Sequence, residues 1–181
     1  MLMETEGPKL WYILHSLAYN YDNNNEYDKL YVYQFLRLFK NLIPCKKCKK
    51  FYINFIKKYD PYIYIKENNT IDWTISLHNT VNIKNSKTEM FKKDVDEIYL
   101  NKKIDNNIIL NYLTYCFYSR RIDNNELIKF LYVYQNIYPS SEIRYKIIKI
   151  NLNQNLLIDS LYSFKKLNKL IEEYKKLGDD T

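Results

Sequence analysis

The sequence contains few of the residues that make tight turns or cross-links: 2 Gly, 4 Pro and 3 Cys among 181 residues. Two-residue hairpins usually need Gly or an Asn-Gly pair, and no such pair occurs, which argues against an all-β fold. Three cysteines are too few for a secreted scaffold held together by several disulfides. The shortage of turn residues therefore favours a helical protein whose core depends on side-chain packing.

Long apolar runs are missing too. No stretch approaches the roughly 18 residues of a transmembrane helix, so we expect no membrane span. The first six residues lack the basic and apolar segments of a secretory signal. Both observations predict a protein that is neither secreted through a signal peptide nor held in a bilayer.

Apolar and basic residues are plentiful. Hydrophobic residues make up 46% of the chain, aromatic residues make up 17%, and the formal net charge is +7. Outside the segment around Cys45, the lysines recur at helical spacing, which is typical of a solvated face. We therefore expect a well-filled core and no nucleic-acid partner.

The strongest chemical signal is a Cys-x-x-Cys pair, Cys45 and Cys48, which follows Pro44. A helix that starts here and continues to about Tyr59 would place the two sulfurs about one turn apart on one face. The helix dipole and the neighbouring lysines (Lys46, Lys47, Lys49 and Lys50) would stabilise a thiolate. Such a pair is compatible with a redox-active dithiol or with half of a metal site.

Apolar periodicity predicts four helices before residue 100. We place them at 8–20 with Thr5 as N-cap, at 28–42, from Pro44 to 59, and at 73–83 with Asp72 as N-cap. The segment 61–70 is predicted to be irregular and briefly extended at 62–65. Taken alone, Trp11 and His15 on the first helix indicate core packing, and His78 on the fourth indicates either a solvent face or a ligand.

Three motifs in a fixed order carry a family resemblance. They are Gly7-x3-Trp11-x2-Leu14-His15, Pro44-Cys45-x2-Cys48 and Trp73-x4-His78-Asn79-x-Val81-Asn82-x4-Lys87. In order and spacing they resemble the FAD-linked sulfhydryl oxidases of the Erv/ALR family, most of all the compact members from large DNA viruses. Each motif would be an independent coincidence, so the three together are a specific signal.

The resemblance implies an all-α fold in which a four-helix bundle plus a short fifth helix holds FAD. It implies a thiol oxidase that makes disulfide bonds in client proteins and reduces O2 to hydrogen peroxide. Cys45 would exchange with the substrate dithiol, and Cys48 would pass the electrons to the flavin. It also implies a homodimer that pairs through the first two helices.

The same resemblance assigns the cofactor-binding residues. They are Gly7, Trp11, His15, Tyr19, Phe39, Ile75, His78, Asn79, Val81, Asn82, Lys84, Lys87 and Tyr99. Lys84 and Lys87 would lie near the phosphates, and Tyr99 would pack on the adenine. These residue types suit the ligand, because a planar aromatic cofactor favours aromatic faces and a pyrophosphate favours cations.

Two departures from the family pattern matter. Cellular members carry a structural cysteine two residues after the motif Trp, where this chain has Ile75, so packing must hold the fourth helix. Most members also have a shuttle cysteine pair, whereas Cys116 is the only other cysteine here and is predicted to be buried and inert. The client would then reach Cys45 directly or through a small dithiol relay protein. Likeness to viral members implies the host cytoplasm or the virion rather than the mitochondrial intermembrane space.

The resemblance covers residues 1–100, which we predict to be the oxidase domain. Residues 101–181 are predicted to form a helical C-terminal domain of unassigned role, with helices at 104–119, 123–138, 140–151 and 154–177.

Three alternatives to a thiol oxidase remain. A zinc site would need two further ligands, a thioredoxin-like protein would need strands around the cysteines, and a catalytically idle module would serve as a protein-binding scaffold.

Overall fold

The protein is built from helices, as the computed structural model shows. It describes residues 2–102, 104–105, 108–109, 111–112, 115–116, 129–130, 133–134 and 136–137. The helices are α1 (Leu2–Asn20), α2 (Glu26–Phe39) with a 3-10 turn at Lys40–Leu42, α3 (Lys46–Lys58), α4 (Pro61–Lys66), α5 (Thr70–Lys84) and α6 (Lys92–Tyr99). No strand occurs in this part of the chain, and the predicted all-α class is confirmed. Among the same residues, none of the helices combines the length and the apolar character that a bilayer span requires.

Helix α1 begins earlier than its sequence pattern indicates. It starts at Leu2 rather than at residue 8, so the predicted N-cap at Thr5 is wrong, and Pro8 lies inside the helix. Pro8 lacks an N–H, which removes one backbone hydrogen bond from the helix. Its ring is exposed to solvent. The apolar periodicity showed which part of the helix is buried, and it did not show where the helix begins.

Side-chain caps define the start of α2 and of α3. Asn25 accepts hydrogen bonds from the backbone N–H groups of Tyr27 (2.9 Å) and Asp28 (3.4 Å). Cys45 is the N-cap of α3, and its Sγ accepts a hydrogen bond from the N–H of Cys48 at 3.2 Å. The predicted second and third helices are confirmed, although their bounds differ by a few residues.

Two predictions between α3 and α5 are wrong. Residues 61–66 form the short helix α4 rather than an irregular or extended segment. Asp60 caps it by accepting a hydrogen bond from the N–H of Tyr62 (3.0 Å), and Pro61 occupies the first turn, where its missing N–H costs nothing. Helix α5 then begins at Thr70 with Asn69 as N-cap, and Asp72 lies within its first turn.

Helix α5 is anchored to α3 by Trp73, which is fully buried. Its indole N–H donates a hydrogen bond to the carbonyl oxygen of Tyr59 (2.9 Å), and its ring lies 5.5 Å from that of Phe55 in an edge-on arrangement. This contact agrees with the expectation that packing holds this helix where the chain has Ile75 in place of a cysteine.

Described residues beyond 102 join the same buried cluster as α1 and α2. The hydroxyl of Tyr112 donates a hydrogen bond to the carbonyl oxygen of Leu42, and the ring of Phe130 lies 5.0 Å from that of Phe35. Cys116 is fully buried, as predicted. The predicted helices at 140–151 and 154–177 lie outside the described residues, and the division at residue 100 stays a prediction.

Candidate active site

A cavity of about 680 Å³ lies between α1, α2, α3, α5 and α6. Nine of the residues singled out from the sequence line it: Gly7, Trp11, Phe39, Cys48, His78, Val81, Asn82, Lys87 and Tyr99. Apolar and aromatic side chains that were not assigned to the site from the sequence also line the cavity, namely Leu10, Leu14, Ile43, Phe51, Tyr52 and Leu77. For five of them the sequence contains only a general signal, because each lies on the apolar face of its helix, whereas Ile43 follows the 3-10 turn in extended backbone.

Aromatic stacking joins α1 to α5 at this cavity. The rings of Trp11 and His78 are stacked, with centroids 3.8 Å apart and planes within 9° of parallel. Two residues far apart in the sequence are thereby brought face to face. Both side chains line the cavity, so a ligand there would meet aromatic side chains.

Behind Trp11, a hydrogen-bonded chain runs from α5 to α1 and back. The Thr74 hydroxyl donates to the carbonyl oxygen of Ile71 (2.8 Å), so its Oγ1 accepts from His15 Nδ1 (3.2 Å). His15 Nε2 is then the acceptor for His78 Nδ1 at 3.0 Å. By this assignment both imidazoles carry their proton on Nδ1, which leaves Nε2 of His78 as an acceptor.

Both histidines are neutral near pH 7. Burial, helped by the nearby His78, lowers the pKa of His15 from 6.5 to about 3. Burial, helped by the charge of Lys87, lowers the pKa of His78 to about 4. Because neither ring takes up a proton in the neutral range, the hydrogen-bonded chain keeps one arrangement.

Tyr19 fixes helix α6 and does not line the cavity. Its hydroxyl donates to Asp96 Oδ1 (2.6 Å), and Lys92 Nζ donates to both oxygens of the same carboxylate (2.8 Å each). Tyr99, on the same helix, packs 5.3 Å from the ring of His15 and does line the cavity. Burial raises the pKa of Tyr99 to about 12, so its phenol stays protonated.

Two asparagines hold the turn that follows α5. The Asn79 amide donates to the carbonyl oxygen of Met90 (2.9 Å) and accepts from the Met90 N–H (2.8 Å). Asn82 donates to the carbonyl oxygen of Thr88 (3.1 Å). Lys87 lies in this turn and lines the cavity, whereas Asn79 does not.

The remaining predicted residues are His15, Ile75 and Lys84. His15 is buried and hydrogen-bonded to the cavity residue His78, Ile75 is buried, and Lys84 Nζ lies 4.8 Å above the ring of Phe51. None of these three lines the cavity wall.

One cysteine of the pair lies in the cavity wall and the other lies outside it. Cys45 and Cys48 form a disulfide at the start of α3. Cys48 lines the cavity and Cys45 does not, although both side chains are partly exposed. Within the described residues, no group of three His, Cys, Asp or Glu side chains is placed to hold a metal ion.

Comparison with known proteins gives the family. The Erv1 / Alr family model matches residues 8–100, just over half of the chain. A probable FAD-linked sulfhydryl oxidase of Acanthamoeba polyphaga mimivirus is 37% identical over 76 residues, which cover 40% of this chain and 52% of the relative. The match therefore spans about half the length of that relative. No solved structure was found to match the chain. The family match and the motifs that line the cavity agree, and this chain belongs to the Erv1 / Alr family.

Proposed function

We propose that the protein is an FAD-dependent thiol oxidase that converts dithiols of client proteins to disulfides and reduces O2 to hydrogen peroxide. The observation that carries the proposal is the position of the disulfide: Cys48 lines an aromatic cavity, and Cys45 lies outside its wall. Family membership and the name of the mimivirus relative support the same activity.

The cavity suits FAD in size and in chemistry. Its volume, about 680 Å³, falls within the roughly 300–1,000 Å³ typical of small-molecule sites. Trp11, Phe39 and Tyr99 would offer faces to the ring systems, and Lys87 would pair with a phosphate oxygen. Bound FAD would supply an acceptor for two electrons and two protons from the dithiol, and a route for them to O2.

The cysteines would perform the exchange with the client. A client thiolate attacks Cys45 Sγ, forms a mixed disulfide and releases Cys48 as a thiolate. The second client thiol then displaces Cys45, so that the client leaves oxidised and the enzyme pair is reduced. The N–H of Cys48, which donates to Cys45 Sγ, would stabilise the departing Cys45 thiolate.

The histidines and asparagines would act as positioning residues. The neutral chain from Thr74 through His15 to His78 would hold the ring of Trp11 in place. Asn79 would hold the turn that carries Lys87 rather than touch the cofactor itself. This assignment refines the role that the resemblance gave to Asn79.

A visible spectrum and an oxygen electrode test the proposal. The purified protein is expected to be yellow, with a flavin absorbance band, and to consume O2 when dithiothreitol is added. Cys45→Ser and Cys48→Ser should each abolish that consumption, and Cys116→Ser is the matched control that should retain it. A folded, flavin-free and colourless protein that binds no added FAD would refute the proposal.

The assembly and its partners follow from the same proposal. The chain would pair with a second copy through α1 and α2, where Tyr27 and Leu30 are 76% and 52% exposed. Light scattering that gives the mass of one chain would contradict this. Clients would be thiol proteins, or a small dithiol relay protein, of the host cytoplasm or the virion.

A further inference from the structure

The first turns of α3 concentrate positive charge around the disulfide. The 13-residue helix reads KKCKKFYINFIKK and contains no acidic residue. Lys46, Lys47 and Lys50 are exposed, and Lys49 is partly buried. The flanks of both cysteines are therefore occupied by cations.

This arrangement does not serve the stability of the helix. Cations at a helix N-terminus oppose the dipole by roughly 0.3–1 kcal/mol each. Lys46 and Lys50 are also like charges four residues apart, which adds a few tenths of a kcal/mol. Within the described part of the chain, no carboxylate lies at ion-pair distance from any of the four lysines. The described part of the fold therefore offers these lysines no ion-pair partner, and their charge is available to something that approaches the site.

The lysines do not belong to the cavity. The cation that lines it is Lys87, and none of the four lysines of the first turns of α3 does so. They share the turn with Cys45, the sulfur that lies outside the cavity wall. Whatever reaches Cys45 from solvent therefore meets these charges first.

We propose that the site selects client thiols embedded in acidic segments, whose carboxylates pair with Lys46, Lys47 and Lys50 while the client sulfur meets Cys45. The proposal rests on the proposed function. Complementary charge at such a surface speeds encounter and loses its effect as salt screens it. A protein segment fits better than nucleic acid, because the cluster spans little more than one turn, about 5 Å, and surrounds a reactive disulfide.

Thiol–disulfide exchange measures this selection without any flavin turnover. Three dithiol peptides of equal length would carry Asp and Glu, Asn and Gln, or Lys beside their cysteines. The rate constant for reduction of Cys45–Cys48 by each peptide is followed by rapid quenching, alkylation and mass spectrometry. We expect the acidic peptide to react at least about tenfold faster than the basic one at low salt. The ratio should fall to within about twofold near 0.5 M NaCl.

Helix α3 provides its own matched control. Lys46→Gln with Lys47→Gln should reduce the acidic-to-basic ratio several-fold. Lys57→Gln with Lys58→Gln removes the same charge from the same helix, on the order of 15 Å away, and should leave the ratio unchanged. Equal rates for the three peptides, or equal loss in both double variants, would overturn the proposal. Tight binding of a labelled oligonucleotide that depends on Lys46 and Lys47, together with equal rates for the three peptides, would also overturn the proposal.

If the oxidase proposal fails, dithiothreitol drives no O2 consumption, yet the peptide ratio can still be measured. If only the inference fails, O2 consumption persists and the peptide ratio is one.

Discussion

The two histidines make the stability of the protein depend on pH in a way that can be calculated. His15 is 1% exposed, and its pKa is about 3, against 6.5 for an ordinary histidine. Below pH 6.5 the His15 side chain therefore binds a proton in the unfolded protein but not in the folded protein. The stability that the neutral, buried His15 contributes is fully present above pH 6.5 and falls as the pH drops from 6.5 towards 3.

The magnitude follows from the two pKa values of His15. Moving from pH 7.5 to pH 5 should cost about 2 kcal/mol of unfolding free energy through this residue alone. His78, whose pKa is about 4, acts in the same direction. It is only partly buried, so solvent screening makes its contribution smaller.

Urea unfolding at the two pH values, with and without His15→Gln, isolates this contribution. The variant should be less stable at pH 7.5 because it disturbs the contacts to Thr74 and His78. Its pH dependence between 7.5 and 5 should be smaller than that of the wild type by about 2 kcal/mol. Since the chain has 2 His, the NMR spectrum contains just two imidazole titrations. Titration of both rings near pH 6.5, or an unchanged pH dependence in the variant, would refute the reasoning.

Three further changes should have measurable effects. Asn79→Ala removes two hydrogen bonds to Met90 and should cost about 2 kcal/mol of unfolding free energy in urea titrations. Trp73→Phe removes the hydrogen bond to the partly buried carbonyl of Tyr59 and shrinks a fully buried side chain, so it should cost about 1–3 kcal/mol, visible as a lower Tm. Lys87→Gln should weaken FAD binding several-fold in fluorescence titrations and reduce the salt dependence of that binding.

Each of these changes has a control. Asn85→Ala removes one exposed hydrogen bond near the same turn and should cost well under 1 kcal/mol. If Asn79→Ala were as mild, the turn would not depend on that amide. Lys84→Gln is the control for Lys87, because Lys84 does not line the cavity. An equal loss of FAD affinity in both lysine variants would contradict the placement of Lys87.

Apolar periodicity predicted the helical class, and the family resemblance indicated nine of the residues that line the cavity. The spacing of Trp11 and His15 marks one face of a helix, and the Cys45–Cys48 spacing marks one helical turn. Helix α4 was missed because an Asp-Pro pair can follow the end of one helix or begin another, and Asp60 and Pro61 begin α4. The two cases differ only in the path of the backbone, which the sequence does not show.

The sequence also could not show in which direction a motif side chain points. The motif identified Asn79 as a residue of the site, but its amide bonds to the backbone of Met90. That pairing depends on how the chain returns after α5, eleven residues later. The apolar wall residues Phe51 and Tyr52 carry no motif either, because any core-facing aromatic side chain looks the same in sequence.

The hydrogen bond from Tyr112 to the carbonyl oxygen of Leu42 has a practical consequence for anyone who shortens the protein. Leu42 ends the 3-10 turn just before Pro44 and Cys45, so a residue outside the family-matched segment 8–100 braces the approach to the disulfide. Truncation after residue 100 would leave that buried carbonyl without a donor, at about 1–3 kcal/mol, and would uncover Phe35 where Phe130 now packs. A chain cut at the family boundary would therefore lose support next to the Cys45–Cys48 disulfide.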